Sequence, residues 1–228
     1  MAAAGAPHGS VLIADSQTGG RGRMGRSFHS PAGSGIYLSV ILRPACPATE
    51  LMHLTCATAV AAAEGVEKAT GLHCGIKWTN DLVVDGKKLG GILTELSVNS
   101  TGTVDFAVIG IGINCTQMPE DFPADIRTIA TSLQLCTEKT VDRAQIIAQL
   151  LVALENMCAQ LHNPDLSCYR KKCITIGKEI SLVRGDEIRH GTALDVDDTG
   201  ALLVRFPDGH TEAVASGEVS IRGMYGYV

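Results

Sequence analysis

Apolar residues follow two rhythms along the chain. Ser10-Val-Leu-Ile-Ala-Asp15 is a short apolar run that predicts a buried strand, and Ile36 to Arg43, stopped by Pro44, predicts another. Between them, from Gln17 to about Gly35, lies a glycine- and arginine-rich loop. Ala48 to Thr70 is alanine-rich with apolar residues at helical spacing, and Gly71 stands where a C-terminal cap belongs. His73 to Lys77 predicts a strand, and Leu82 to Leu89 a hairpin turning at Asp85-Gly86, a pair that accepts positive φ. Ile92 to Ser97 and Val104 to Ile113 flank Asn99-Ser-Thr-Gly102 and predict a second hairpin. Thr140 is placed to cap a helix running to about His162, with Ile147, Leu151, Leu154, Cys158 and Leu161 along one face.

The character changes near Asn163-Pro164. From Gly177 onward there are only short strand candidates: Glu179–Arg184, Gly191–Val196, Ala201–Phe206, Thr211–Ala215 and Val219–Arg222. Gly185-Asp186, Asp198-Thr-Gly200 and Pro207-Asp-Gly209 supply the turns between them. Five short strands at this spacing predict a small antiparallel barrel. The expected organisation is an α+β domain over residues 1–172 and an all-β domain over residues 173–228.

Composition narrows the class of protein. A chain of 228 residues buries enough surface to need no disulfide or metal staples. A net charge of −5 argues against broad nucleic-acid binding as the main task. No segment has the run of roughly 18 apolar residues that a membrane span needs. Residues 1–10 lack the charged and apolar regions of a secretory signal, so the expected compartment is the cytoplasm. The eight cysteines are scattered without a CxxC pair, and the histidines show no HxxxH or HExxH, so we read the thiols as small buried hydrophobes and expect no protein-bound metal.

Three segments carry candidate chemistry. Gln17-Thr-Gly-Gly-Arg-Gly-Arg-Met-Gly-Arg26 places three arginines within six residues of an otherwise acidic chain. Glycine lets backbone approach a ligand closely, and a guanidinium grips phosphate or carboxylate through paired hydrogen bonds. Gly20 to Gly25 matches GxGxxG literally, but turn residues follow it where a dinucleotide fold needs a helix. A flexible nucleic-acid arm is the other reading of such a loop. The second segment is Lys77-Trp78-Thr79-Asn80-Asp81, where a lysine able to neutralise an anion ends a strand. The third is Gly110-Ile-Gly-Ile-Asn114, whose glycines thin an apolar strand and mark close approach by a ligand or another part of the chain. Singly, each segment also fits a packed or solvated surface.

Taken in order, Q-T-x-G-R-G-R-x-G-R, K-W-x-N-D-L, K-L-G-G-I-L-x-E-L and G-x-G-I-N resemble the biotin protein ligase family, densely from Val11 to about Cys115 and more weakly through Tyr169-Arg170 and Gly217-Glu-Val-Ser-Ile-Arg222. The resemblance implies a class II aminoacyl-tRNA synthetase-like mixed sheet with helices, followed by an SH3-like barrel. It also implies ATP-dependent joining of biotin to a lysine of a biotin carboxyl carrier protein through biotinyl-AMP. Gln17 would contact the biotin ring system. Arg21 and Arg23 would hold carboxylate and phosphate, with Gly22 allowing a tight loop between them. Lys77 would bridge carboxylate and α-phosphate, Asn114 would read the adenine, and Phe28 would pack over the nucleotide where the family has tryptophan. Gly20, Arg26, Asn80, Gly91 and Gly112 complete the implied binding set, Arg23 and Lys77 being the catalytic pair. Magnesium is expected with ATP, held by phosphate oxygens and water.

The resemblance also sets expectations about what is missing. The family carries a Ser-Thr-Asn motif and a helix upstream of the strand beginning at Val11; residues 1–10 hold neither, and a truncated start is the expectation. Thr79 stands where the family has proline. The implied partner is a carrier domain of acetyl-CoA carboxylase or a related carboxylase, with no nucleic acid or membrane partner and a possible homodimer. A lipoate or octanoate ligase, or an inactive homologue that only retains nucleotide or biotin, is the alternative.

Overall fold

The computed structural model describes residues 1–162, 165–215 and 220–223. Its elements run in the order β1 (Ser10–Ala14), β2 (Gly35–Leu42), α1 (Leu54–Thr70), β3 (Gly75–Lys77), β4 (Asp81–Val84), β5 (Lys87–Val98), β6 (Val104–Asn114), α2 (Leu133–Cys136), α3 (Arg143–Ala159), α4 (Ser167–Lys172), β7 (Glu179–Arg184), β8 (Glu187–Val196), β9 (Leu202–Arg205), β10 (Thr211–Val214) and β11 (Ser220–Gly223). The first six strands form one sheet in the order β1-β2-β6-β5-β4-β3, with antiparallel neighbours throughout. Parallel pairing enters through the single bridges Ile76–Cys173 and Lys88–Ala130. The last five strands form a second antiparallel sheet, β10-β9-β8-β7-β11.

The helices back the first sheet because their apolar faces have nowhere else to go. α1 buries Ala59, Ala61, Ala62, Ala63 and Val66 and packs along α3. At Gly65 the two helices come so close that a Cβ would stand 2.9 Å from the Cα of Leu150. Gly71 ends α1 at φ 78° and donates its N–H to the Glu67 carbonyl, as the cap reading expected. The turn of the first hairpin falls at Asp85 (φ 50°) and Gly86 (φ 72°). In the second hairpin the Asn99 side chain accepts from the N–H groups of Thr101 and Thr103.

Three readings differ from the structure. β1 is a half-exposed edge strand, not a buried one: Val11, Leu12 and Ile13 all face solvent among the described residues. A short apolar run carries no information about which face is covered. The helix expected from Thr140 starts at Arg143, and its cap is Asp142, whose carboxylate accepts from the N–H groups of Ala144 and Gln145. The buried stripe of α3 is centred on Ile146, Leu150, Ala153 and Leu154, one residue off the predicted stripe, so Ile147, Leu151 and Cys158 are only partly buried. The predicted boundary residues Asn163-Pro164, and Val219, the first residue of the last predicted strand, lie outside the described residues.

All eight cysteines are free thiols, and five of them are buried. Among the described residues no helix is long and apolar enough to cross a membrane.

Candidate active site

A cavity of about 400 Å³ opens on the face of the first sheet away from the helices. Three chain segments build it. The first is the arginine-rich loop, which folds into a miniature hairpin. Arg21 pairs with Ser27, the Gly22 N–H donates to the Arg26 carbonyl at 2.7 Å, and Phe28 N–H donates to Gly20 at 2.9 Å. The chain reverses at Met24 (φ 54°) and Gly25 (φ 73°). Gly22, expected to allow the tight loop, is extended at φ −109°; the left-handed step begins two residues later, at Met24.

The second segment is the end of β3 and the start of β4. Lys77 is buried at the cavity wall. The residues after it are held from three sides. Trp78 donates its backbone N–H to Thr175 Oγ1 at 3.0 Å and its indole N–H to the Gly200 carbonyl at 3.0 Å, while Tyr169 donates its hydroxyl to the Thr79 carbonyl at 3.0 Å. Burial raises the Tyr169 hydroxyl well above its ordinary range, so the phenol stays a donor. Asn80 donates to the Ile92 carbonyl and accepts from the Arg23 guanidinium at 3.0 Å. That last bond joins the two cationic segments. Burial lowers the Arg23 pKa against the opposing pull of Asp81, yet a guanidinium keeps its charge under such a shift.

The third segment is β6, whose alternation puts Val108, Gly110, Gly112 and Asn114 toward the cavity. A Cβ at Gly112 would stand 2.6–3.1 Å from the Phe28 ring, so the glycine makes room for that aromatic. Asn114 donates to the Thr131 carbonyl at 2.9 Å and accepts a long 3.5 Å contact from Gln117. Its amide group therefore keeps one N–H and one lone pair for a ligand.

Two further carboxylates border the cavity and both are engaged: Asp81 by Lys88 at 2.6 Å and Glu95 by Arg21 at 3.0 Å. The result is a pocket with an apolar wall and a convergent set of cations and amides, suited to a ligand that carries several negative charges beside an apolar part.

A model of the biotin/lipoate A/B protein ligase family matches residues 2–114, and one of the biotin protein ligase C terminal domain matches residues 175–222. The biotin--[acetyl-CoA-carboxylase] ligase of Mycobacterium tuberculosis is 37% identical over 219 residues, which cover 92% of this chain and 78% of that relative. The chain belongs to the biotin protein ligase family. The bifunctional ligase/repressor BirA of Bacillus subtilis is 38% identical over 208 residues, and the match spans 64% of that relative's length. Among solved structures, the biotin protein ligase from Aquifex aeolicus in complex with biotin and ATP superposes with a TM-score of 0.81 at 30% identity, covering 96% of this chain and 90% of that one.

Within this family member, the residues expected from sequence mostly converge. Gln17, Arg21, Gly22, Arg23, Arg26, Phe28, Lys77, Asn80, Gly91, Gly112 and Asn114 all line the cavity. Gly20 does not. It is packed inside the loop, where a Cβ would stand 2.4 Å from the Phe28 carbonyl oxygen and 2.7 Å from Ser30 Oγ. Gln17 has its side-chain carbonyl fixed by the Ser30 hydroxyl at 2.9 Å. Arg21 points to the open side with Glu95. The segment from Phe122 to Ala130 was not singled out from sequence, although Phe122, Ile126, Ile129 and Ala130 form a wall of the cavity. Its apolar residues follow neither period, and backbone bonds between Lys88 and the residues Ile129 and Thr131 dock it. From the second sheet, Ile221 also reaches the cavity.

Proposed function

We propose that this protein is an ATP-dependent biotin--[biotin carboxyl carrier protein] ligase, working through a biotinyl-AMP intermediate. The observation that carries the proposal is the convergence of Arg23 and buried Lys77, from separate segments, on one cavity, with Arg23 donating to Asn80 three residues beyond Lys77. The name of the Mycobacterium tuberculosis relative and the biotin and ATP of the Aquifex aeolicus structure support the substrate pair.

In the first step, biotin's carboxylate oxygen attacks the α-phosphorus of ATP and pyrophosphate leaves. Two anions must meet, and Lys77 lies between them to offset their repulsion. Arg23 holds carboxylate and phosphate from the loop side, and Arg21 joins it by exchanging Glu95 for ligand. Gln17 donates to the biotin ring system through its amide nitrogen. Asn114 reads adenine with its remaining N–H and lone pair, and the Phe28 ring covers the nucleotide beside Gly112. Gly20 and Gly22 shape the loop, while Arg26, Asn80 and Gly91 complete the lining. In the second step the ε-amine of the carrier lysine attacks the biotinyl carbonyl and AMP leaves. Magnesium would arrive with ATP, held by phosphate oxygens and water, since Asp81 is already engaged by Lys88.

The division at residues 172 and 173, a cytoplasmic location and a carboxylase carrier domain as acceptor belong to the same proposal. A homodimer is included on the strength of the exposed edge strand β1. The match of residues 175–222 to the C-terminal domain of biotin protein ligases favours biotin over lipoate or octanoate.

The test is to supply ATP with biotin or with lipoate and measure pyrophosphate release, then transfer to a carrier domain. We expect release with biotin and one label on the target lysine. Release with lipoate alone would overturn the substrate, and release without transfer would leave a protein that only retains the adenylate.

A further inference from the structure

Away from the cavity, three ligand-type side chains from two distant segments come together. Cys46, Glu50 and His162 place a sulfur, a carboxylate oxygen and a ring nitrogen within 4.8 Å of one another. The Glu50 carboxylate and His162 Nδ1 are 3.9 Å apart. None of the three lines the cavity.

The backbone around this trio is well fixed. Cys46 follows β2, and its carbonyl accepts from the Val104 N–H at 2.9 Å; Ala48 donates to the Gly102 carbonyl. Residues Ala48–Leu51 then form a short 3-10 turn that carries Glu50. On the other side, Leu161 is buried and anchors the chain just before His162. His53, one turn beyond Glu50, is buried, and its Nε2 has no partner among the described residues.

The geometry points to a zinc-class divalent cation site made by Cys46, Glu50 and His162, tying the connection between β2 and α1 to the end of α3. Thiolate, imidazole and carboxylate together suit a borderline-soft ion, whereas a calcium or magnesium site would be built from oxygen. Metal–ligand distances of about 2.0–2.3 Å put tetrahedral ligands roughly 3.3–3.8 Å apart, so the trio needs only side-chain rotation to close. Cys46 is the buried anchor, while Glu50 and His162 are more than half exposed and leave an entry path and a position for water. Binding replaces the thiol proton of Cys46, which goes to solvent, so affinity rises with pH.

The test uses the full chain stripped of metal and titrated with Co²⁺, then with Zn²⁺ against a chromogenic chelator. We expect one equivalent of Co²⁺ to give a thiolate-to-metal charge-transfer band that Zn²⁺ bleaches. Cys46→Ser should abolish the band, and His162→Ala should weaken binding by about tenfold or more. Cys168→Ser, which removes the exposed thiol, should leave the band intact. Because His162 is exposed, its variant folds even if loss of buried Cys46 does not allow folding. No band in the unmodified protein, or a band and affinity unchanged in His162→Ala, overturns the site. So does a band lost with Cys168.

Discussion

The two cationic walls of the cavity are held in opposite ways. The arginine loop is a hairpin closed by its own backbone bonds, with exposed Met24 at its tip, the exposed Arg21–Glu95 ion pair and the Arg23–Asn80 bond to the neighbouring segment. The segment from Lys77 to Asn80 is clasped by Thr175, Gly200, Tyr169 and Ile92, which belong to four different parts of the chain. The difference teaches where order is needed before ligand arrives. In the proposed reaction, a lysine that sits between two anions gains from being preset, while a loop that admits them and then covers them gains from being lightly held.

Four measurements break or sharpen that contrast. Lys77→Ala should lower the rate of adenylate formation by roughly 10²–10³-fold, because a preorganised charge is lost; an unchanged pyrophosphate burst removes Lys77 from the chemistry. Arg23→Gly should slow adenylation less than Lys77→Ala does and release biotinyl-AMP roughly 10–100-fold faster, the worth of one or two charge-assisted hydrogen bonds. The readout is nonspecific labelling of lysines on bystander proteins, and its absence denies the loop a retaining role. Tyr169→Phe leaves the Thr79 carbonyl without its donor and should cost about 1–3 kcal/mol in urea unfolding. The same variant should also lower kcat more than it raises KM for biotin. A stability loss with kcat intact would make the clasp a matter of folding only. Glu95→Gln should change stability by less than about 1 kcal/mol, since both partners are exposed, and should mildly favour ligand by releasing Arg21.

Much of this arrangement is legible in the sequence because local chemistry and global fold agree. Asp85-Gly86 and Asn99 to Gly102 are turns whatever surrounds them, so both hairpins follow, and the five C-terminal strands follow from their turns in the same way. The ordered motifs located the cavity: Arg23, Lys77 and Asn114 are far apart in sequence but meet on one sheet face. What is not legible depends on contacts that no window contains. Gly112 reads as a ligand's landing place, yet its immediate neighbour is the Phe28 ring from another segment. The exposure of β1 depends on what covers it, and the wall from Phe122 to Ala130 on a docking strand, β5, that is distant in its pattern. The cap at Asp142 rather than Thr140 is a two-residue choice that only the path into α3 decides.

The single tryptophan of the chain has one further use. Its indole N–H reaches across to the turn at Gly200, while its backbone neighbour Lys77 sits on the cavity wall. Tryptophan fluorescence, excited apart from the tyrosines, therefore has one emitter, placed at the seam between the two sheets and one residue from Lys77. Unlabelled protein should report both loosening of that seam and the arrival of ligand as separate changes in the same emission spectrum.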